Sequence, residues 1–212
     1  MKDKTKNVFT VKDDKVTEIV CILDKSGSMD AIKSDTIGSF NSFLKEQQKL
    51  PDKAIMTVLL FDNEYEMMYD GVDLDNVKPL TSSTYRPSGT TALYDAIGVA
   101  ISKVEKRFNS GKCNRVLVAI ITDGYENASR EYNKCQILNL INEHKANDWE
   151  FLYLSASPSA FNDSHSIGIA PSRTMFFAHS GRGMSNMMAS YGSSACSYRT
   201  SGKISDFKIK SD

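Results

Sequence analysis

Glu18-Ile-Val-Cys-Ile-Leu-Asp24-Lys-Ser26-Gly-Ser28-Met-Asp30 sets the fold class of this 212-residue chain. Ile19 to Leu23 form a continuous apolar run with β-branched members, the composition of a central parallel strand covered on both faces. At Asp24 the run stops at a carboxylate. Ser26 and Ser28 follow at alternate positions, with Gly27 between them to permit a tight turn. One carboxylate and two hydroxyls are thereby aimed into one small volume at the carboxyl end of a strand. That volume is rich in the hard oxygens that suit a divalent cation.

The Asp-x-Ser-x-Ser pattern after a first buried strand resembles the metal-ion-dependent adhesion site of von Willebrand factor type A (VWA) domains. That family completes its site with a threonine from a Gly-rich loop and an aspartate after a later strand. Arg86-Pro-Ser-Gly-Thr-Thr91-Ala-Leu-Tyr-Asp-Ala-Ile97 is similar to the first segment, and Val116-Leu-Val-Ala-Ile-Ile-Thr-Asp123-Gly124 to the second, in the same order. The resemblance covers roughly residues 16–180. It implies an α/β fold, a doubly wound Rossmann-like sheet of order 3-2-1-4-5-6 that is mostly parallel, with one antiparallel edge strand and helices on both faces. It also implies Asp24, Ser26, Ser28, Thr91 and Asp123 as the metal set, Mg²⁺ as the ion with Mn²⁺ able to substitute, and a partner protein that supplies an Asp or Glu carboxylate. Two alignments of the threonine loop stay open: matching on Ala92 to Ile97 selects Thr91 and keeps Ile97 and Ile101 facing inward, whereas matching on Gly89 selects Thr90. Thr91 also reads as the cap of the following helix. Lys25, Met29, Tyr94, Tyr125 and Glu126 flank the ligand residues in sequence and are expected at the mouth of the site.

The remaining periodicities agree with such a sheet. Ile32, Thr36, Phe40, Phe43, Leu44 and Gln47 mark one face of a helix over about 31–49, stopped by Pro51. Residues 54–61 read as a second strand, and the turn at Asp62-Asn63 returns the chain antiparallel over 64–69. A Pro- and hydroxyl-rich loop over 71–89 precedes a helix carrying Leu93, Ala96, Ile97, Ala100, Ile101, Val104 and Phe108 on one side. A strand over 116–121, a helix over about 131–146 and short strands at 151–154 and 174–177 complete the alternation. Residues 1–15 read as an extension or a short edge strand at 7–11. Residues 181–212 read as a short helix, with Met184, Met187 and Met188 packing inward, followed by a flexible Ser/Gly-rich tail.

Composition excludes several functions. Lys plus Arg equals Asp plus Glu at 26 each, so no basic excess points to nucleic acid or an anionic membrane surface. No apolar run approaches the ~20 residues of a membrane helix, and the first residues lack a signal-peptide hydrophobic region, so a cytoplasmic location is expected. Cys21, Cys113, Cys135 and Cys196 are widely spaced, as for free thiols, with Cys21 a small core residue. His144, His165 and His179 are scattered and read as solvated or packing residues, although His179 to Gly183 has the composition of an anion-binding turn. An enzyme is not expected. A Mg²⁺-dependent phosphohydrolase of the haloacid dehalogenase type needs a second acid where Ser26 stands, and no Walker loop or Gly-x-Ser-x-Gly elbow occurs. The third class is a structural subunit whose metal only stabilises loops.

Overall fold

The computed structural model describes residues 15–207, and the expected edge strand at 7–11 lies outside them. Six strands form one sheet: β1 (Thr17–Asp24), β2 (Ala54–Phe61), β3 (Tyr65–Asp73), β4 (Arg115–Thr122), β5 (Glu150–Ser155) and β6 (Thr174–Phe176). Their order is β3-β2-β1-β4-β5-β6, parallel throughout except for β3, which runs antiparallel at the edge. The expected fold class and strand order are therefore the observed ones. β1 lies between β2 and β4, paired with Phe61 opposite Asp24 on one side and Ile121 opposite Leu23 on the other. β1 and β4 thus end side by side, where the strand order reverses, which is the place open α/β sheets bind ligands.

Successive side chains of a strand point to opposite faces, so each apolar run divides between two cores. Ile19, Cys21 and Leu23 join one, with Met56, Val58, Leu117 and Leu152; Val20 and Ile22 join the other, with Leu59, Val118 and Ile120. The first core is covered by α1 (Lys33–Gln48) and α5 (Gly181–Ser201), the second by α2 (Leu93–Asn109), α3 (Lys134–Lys145) and α4 (Ala160–Ser166). Burial pushes the Cys21 thiol up to about 12, and it meets Tyr191 Oη at 3.3 Å, so Cys21 is the inert core residue its position suggested.

Several boundaries differ from expectation for local reasons. A 3-10 turn over Gly27–Ile32 precedes α1. β3 continues to Asp73, past the expected loop start at Gly71, because Thr57 Oγ1 accepts from Gly71 N at 3.0 Å beside an irregularity in the β2–β3 register. α3 begins at Lys134 rather than Glu131. The Asp95 carboxylate accepts the backbone N–H groups of Arg130, Glu131 and Tyr132, and Asn133 with Gln136 then forms a capping box.

The largest correction concerns the C-terminal region. In place of a short helix and a flexible tail, residues 181–201 form one 21-residue helix. Ser180 caps it by accepting from Gly183 N, and Gly202 ends it at a φ of 73°. Met184, Met187, Met188, Tyr191, Ala195 and Tyr198 make its buried stripe, so the methionines pack inward as expected. Tyr191 stacks on Phe43 of α1 at 4.5 Å between ring centroids. Near the far end, Arg199 is buried, with Nε 2.7 Å from Asp52 Oδ2, Nη1 2.6 Å from Gln47 O and Nη2 2.6 Å from Asp52 O.

These bonds make the end of α5 part of the fold. Arg199→Ala strands the Asp52 carboxylate and two carbonyls, and is expected to cost about 3 kcal/mol in urea denaturation. Truncation after Gly192 should cost more. An Arg199→Ala loss within the ~0.5 kcal/mol typical of surface changes would show that this helix end is not docked.

Candidate metal centre

Asp24 ends β1 with its side chain wholly buried. Its two oxygens are held separately, Oδ1 by Ser26 N at 2.6 Å and Oδ2 by Thr122 Oγ1 at 2.6 Å. Tyr85, also buried, donates from Oη to the Asp24 carbonyl at 2.6 Å, so the loop before α2 clamps the turn after β1. Two backbone bonds extend the clamp, Ser88 N to Lys25 O at 2.8 Å and Gly27 N to Gly89 O at 3.2 Å. Gly27 itself does not adopt positive φ. The conformational freedom belongs to Gly89, at a φ of 66°, where a Cβ would stand 2.1 Å from Asn63 Oδ1.

Beside this clamp Ser26, Ser28 and Asp123 meet. Ser28 Oγ donates to Asp123 Oδ1 at 2.7 Å, and Ser26 Oγ lies 3.2 Å from Ser28 Oγ. Thr91 is buried with its Oγ1 against Gly124, 3.3 Å from where a Cβ on that glycine would stand, whereas Thr90 is exposed. Asn127 fixes the Thr91 backbone from both sides, its Oδ1 accepting from Thr91 N and its N–H donating to Thr91 O. Thr91 does not cap α2 through its side chain; Ala92 stands at the N-cap position, and the Tyr94 N–H of the first turn is taken by Glu126 and Ser129 instead.

Two residues expected at the mouth have other work. Met29 is fully buried in the core, and Glu126 is occupied by Tyr94, Ala128 and Ser129. Lys25 pairs with Asp62, which also accepts from Ser88 Oγ and Glu64 N. Burial alone would raise the Asp62 carboxyl, but these bonds outweigh it and hold the group below the ordinary value. Tyr125 is exposed and Tyr94 half-buried.

Sequence spacing gave no hint of one neighbour. His179, from the connection between β6 and α5, brings Nε2 to 2.8 Å from Asp123 Oδ2. The three site loops lack histidine, as expected; this one arrives on a fourth. The available signal was position, since His179 follows a strand at the same end of the sheet.

The donor set fits a small hard cation. Among the described residues no group of three or more His, Cys, Asp or Glu side chains forms a metal cluster, so the centre depends on its hydroxyls. Adjacent ligands on an octahedron with ~2.0–2.1 Å bonds lie about 2.9 Å apart, and the 2.7 and 3.2 Å separations bracket that edge. Ca²⁺, with bonds of ~2.3–2.6 Å, needs a longer edge of about 3.5 Å. Because both Asp24 oxygens already accept strong bonds, Asp24 suits a supporting negative charge better than a direct ligand.

No protein-family model matches the chain, and no curated protein matches its sequence. Solved structures do match. The chain superposes on proximal thread matrix protein 1 from the mussel byssus, a structure with a zinc-occupied MIDAS motif, at a TM-score of 0.61 and 16% identity over 86% of this chain. It spans 46% of that mussel protein's chain. Manganese-loaded TRAP protein of Plasmodium vivax matches at a TM-score of 0.57 and 17% identity, over 82% of this chain and 72% of the other. At these identities the likeness is one of fold.

Burial pushes the Asp24 carboxyl up from 3.8 to about 6, against the bonds from Thr122 and Ser26, with the Asp123 charge adding to the rise. The native state therefore holds this proton more tightly than the unfolded chain. In EDTA, ionising Asp24 should erode stability as pH rises from about 4 through 6, by about 3 kcal/mol in all. Asp24→Asn keeps a carbonyl for Ser26 N and offers an N–H to Thr122 Oγ1. At pH 7.5 in EDTA it should unfold at higher urea than the native chain, with the gap closing near pH 4. Equal midpoints at pH 7.5 would show that the buried charge carries no cost.

Proposed function

We propose, from the von Willebrand factor type A fold shared with these structures, that the chain is a non-catalytic, metal-dependent interaction module. In this reading Ser26, Ser28 and Thr91 hold Mg²⁺, for which Mn²⁺ substitutes, with Asp24 and Asp123 in support. A coordination position left to solvent then accepts an Asp or Glu carboxylate of another protein. The observation that carries the reading is the meeting of Ser26, Ser28 and Asp123 beside buried Asp24 at the switch point of the sheet, with Thr91 Oγ1 packed against Gly124 of the Asp123 loop.

Charge favours this chemistry. Two aspartates balance a divalent cation without excess, so the bound ion supplies a Lewis-acidic position that an anionic side chain can approach. Catalysis is not favoured by the contacts: Ser26 Oγ meets Ser28 rather than a base, and Asp123 is engaged by Ser28 and His179. Exposed Tyr125 stands beside the ligand loop as a surface for partner choice. No helix among the described residues is long and apolar enough to cross a membrane. A cytoplasmic setting belongs to the proposal, supported by the four free cysteines.

A pull-down from the native host tests this directly. A partner should be retained in millimolar Mg²⁺ or Mn²⁺, released by EDTA, and lost when one acidic residue of that partner becomes its amide. Mg²⁺ should also raise the melting temperature of metal-free protein in proportion to ln(1 + [L]/Kd), a response absent from Ser26→Ala/Ser28→Ala protein. Retention of the same partner in EDTA would eliminate the metal bridge. Phosphoester hydrolysis abolished by those substitutions would replace it with an enzyme.

A further inference from the structure

Tyr94, Tyr125, Tyr153, Glu126 and Asp163 line a cavity of about 140 Å³. It gathers three parts of the fold. Tyr153 comes from β5, on the side of the sheet that α2, α3 and α4 cover, and Asp163 comes from α4. Tyr94 stands in the first turn of α2, and Tyr125 and Glu126 in the loop after β4. No Lys, Arg or His among the described residues lines the cavity, so three phenols and two carboxylates share it without a cation of the chain's own.

Tyr153 is 1% exposed, yet its hydroxyl has no hydrogen-bond partner among the described residues. Buried hydroxyls are ordinarily paired. The Tyr94 and Tyr125 hydroxyls also lack a partner there, and none of the three rings packs on another aromatic ring. Burial, reinforced by the charges of Glu126 and Asp163, holds the Tyr94 and Tyr153 phenols above their ordinary value, so both are neutral. The two acids differ in what they can still accept. Both oxygens of Glu126 are taken, Oε1 by Ala128 N and Ser129 N, Oε2 by Tyr94 N and Ser129 Oγ. Asp163 Oδ2 accepts from Ser159 Oγ, which leaves Oδ1 without a partner among the described residues.

We propose that this cavity takes an alkylammonium group, the side chain of a lysine in a partner protein. Neutral phenol rings beside two fixed negative charges hold a desolvated cation through the ring quadrupoles and Coulomb attraction together. The ammonium donates to Asp163 Oδ1 and Tyr153 Oη, Glu126 contributes its charge, and Leu93 and Ile167, which complete the lining, suit the alkyl stem. A guanidinium is served less well, because its planar fork calls for two free oxygens on one carboxylate and neither acid has them. The inference goes beyond the metal reading and stands without it, since the cavity is built from other side chains. Where both hold, one partner presents an acid to the ion and a lysine beside it.

Nuclear magnetic resonance titration of the ¹⁵N-labelled chain in EDTA tests this without metal or partner. n-Butylammonium chloride should give saturable shifts at the amides of Tyr125, Glu126 and Asp163, whereas 1-butanol, and potassium chloride at equal ionic strength, should not. Nα-acetyl-lysine methylamide should move the same amides. Asp163→Asn should weaken binding about five-fold or more, as should Tyr125→Ala, whose position is 55% exposed and spares the core. Tyr65→Ala, which removes an exposed tyrosine elsewhere, should leave binding unchanged. Equal binding of 1-butanol would make this an apolar pocket and overturn the proposal, as would an absence of saturable shifts. Binding of n-butylammonium but not of the lysine derivative would overturn lysine as the source, in favour of a small free amine. With EDTA present throughout, these outcomes are read separately from the fate of Ser26, Ser28 and Thr91 as metal ligands.

Discussion

A carboxylate buried at the end of the central strand must be satisfied by the chain around it, because water does not reach it. Asp24 meets this demand with two strong bonds, one from the turn that follows it and one from the neighbouring strand. Each of them fixes something else. The bond to Ser26 N folds the turn so that Ser26 and Ser28 come into register, and the bond to Thr122 ties the end of β4, and therefore Asp123, to the end of β1. Tyr85, reaching under both to the Asp24 carbonyl, brings the third loop into the same assembly. The geometry of the centre is thus a consequence of desolvating one charge.

Much of this architecture was legible in the sequence because the signals are local. A five-residue apolar run ending in a carboxylate marks a buried strand and its end, two further runs mark the other site loops, and the order of the sheet followed from the resemblance that these three segments carry. Of the two alignments of the threonine loop, the one that selects Thr91 keeps Ile97 and Ile101 facing inward. The structure has that register and buries Thr91.

Other features depend on partners far along the chain. Thr122 reads as the last residue of a strand, and nothing in its neighbours says that its hydroxyl turns towards Asp24. Met29 lies next to Ser28 in sequence yet points into the core, since a 3-10 turn rotates consecutive residues to different sides. α5 was hidden by composition: its serines and glycines have low helix propensity and give no local reason to order. Its stripe from Met184 to Tyr198 was present at helical spacing throughout, and what makes it a helix is the groove that α1 and the sheet provide. Gln47 Nε2, at 3.1 Å from Gly192 O, shows how closely the small residues let the two helices approach.

α5 begins two residues after His179 and is held by Arg199 near its other end. A helix of 21 residues is about 30 Å long, so its two ends sit at opposite margins of the sheet. It behaves as a strut. Sliding along its own axis would break the bonds of Arg199 to Gln47 and Asp52, and tilting would open the stack of Tyr191 on Phe43. The distance between the β6–α5 turn and the tip of β4 is therefore set by a rigid member braced at the far side of the molecule.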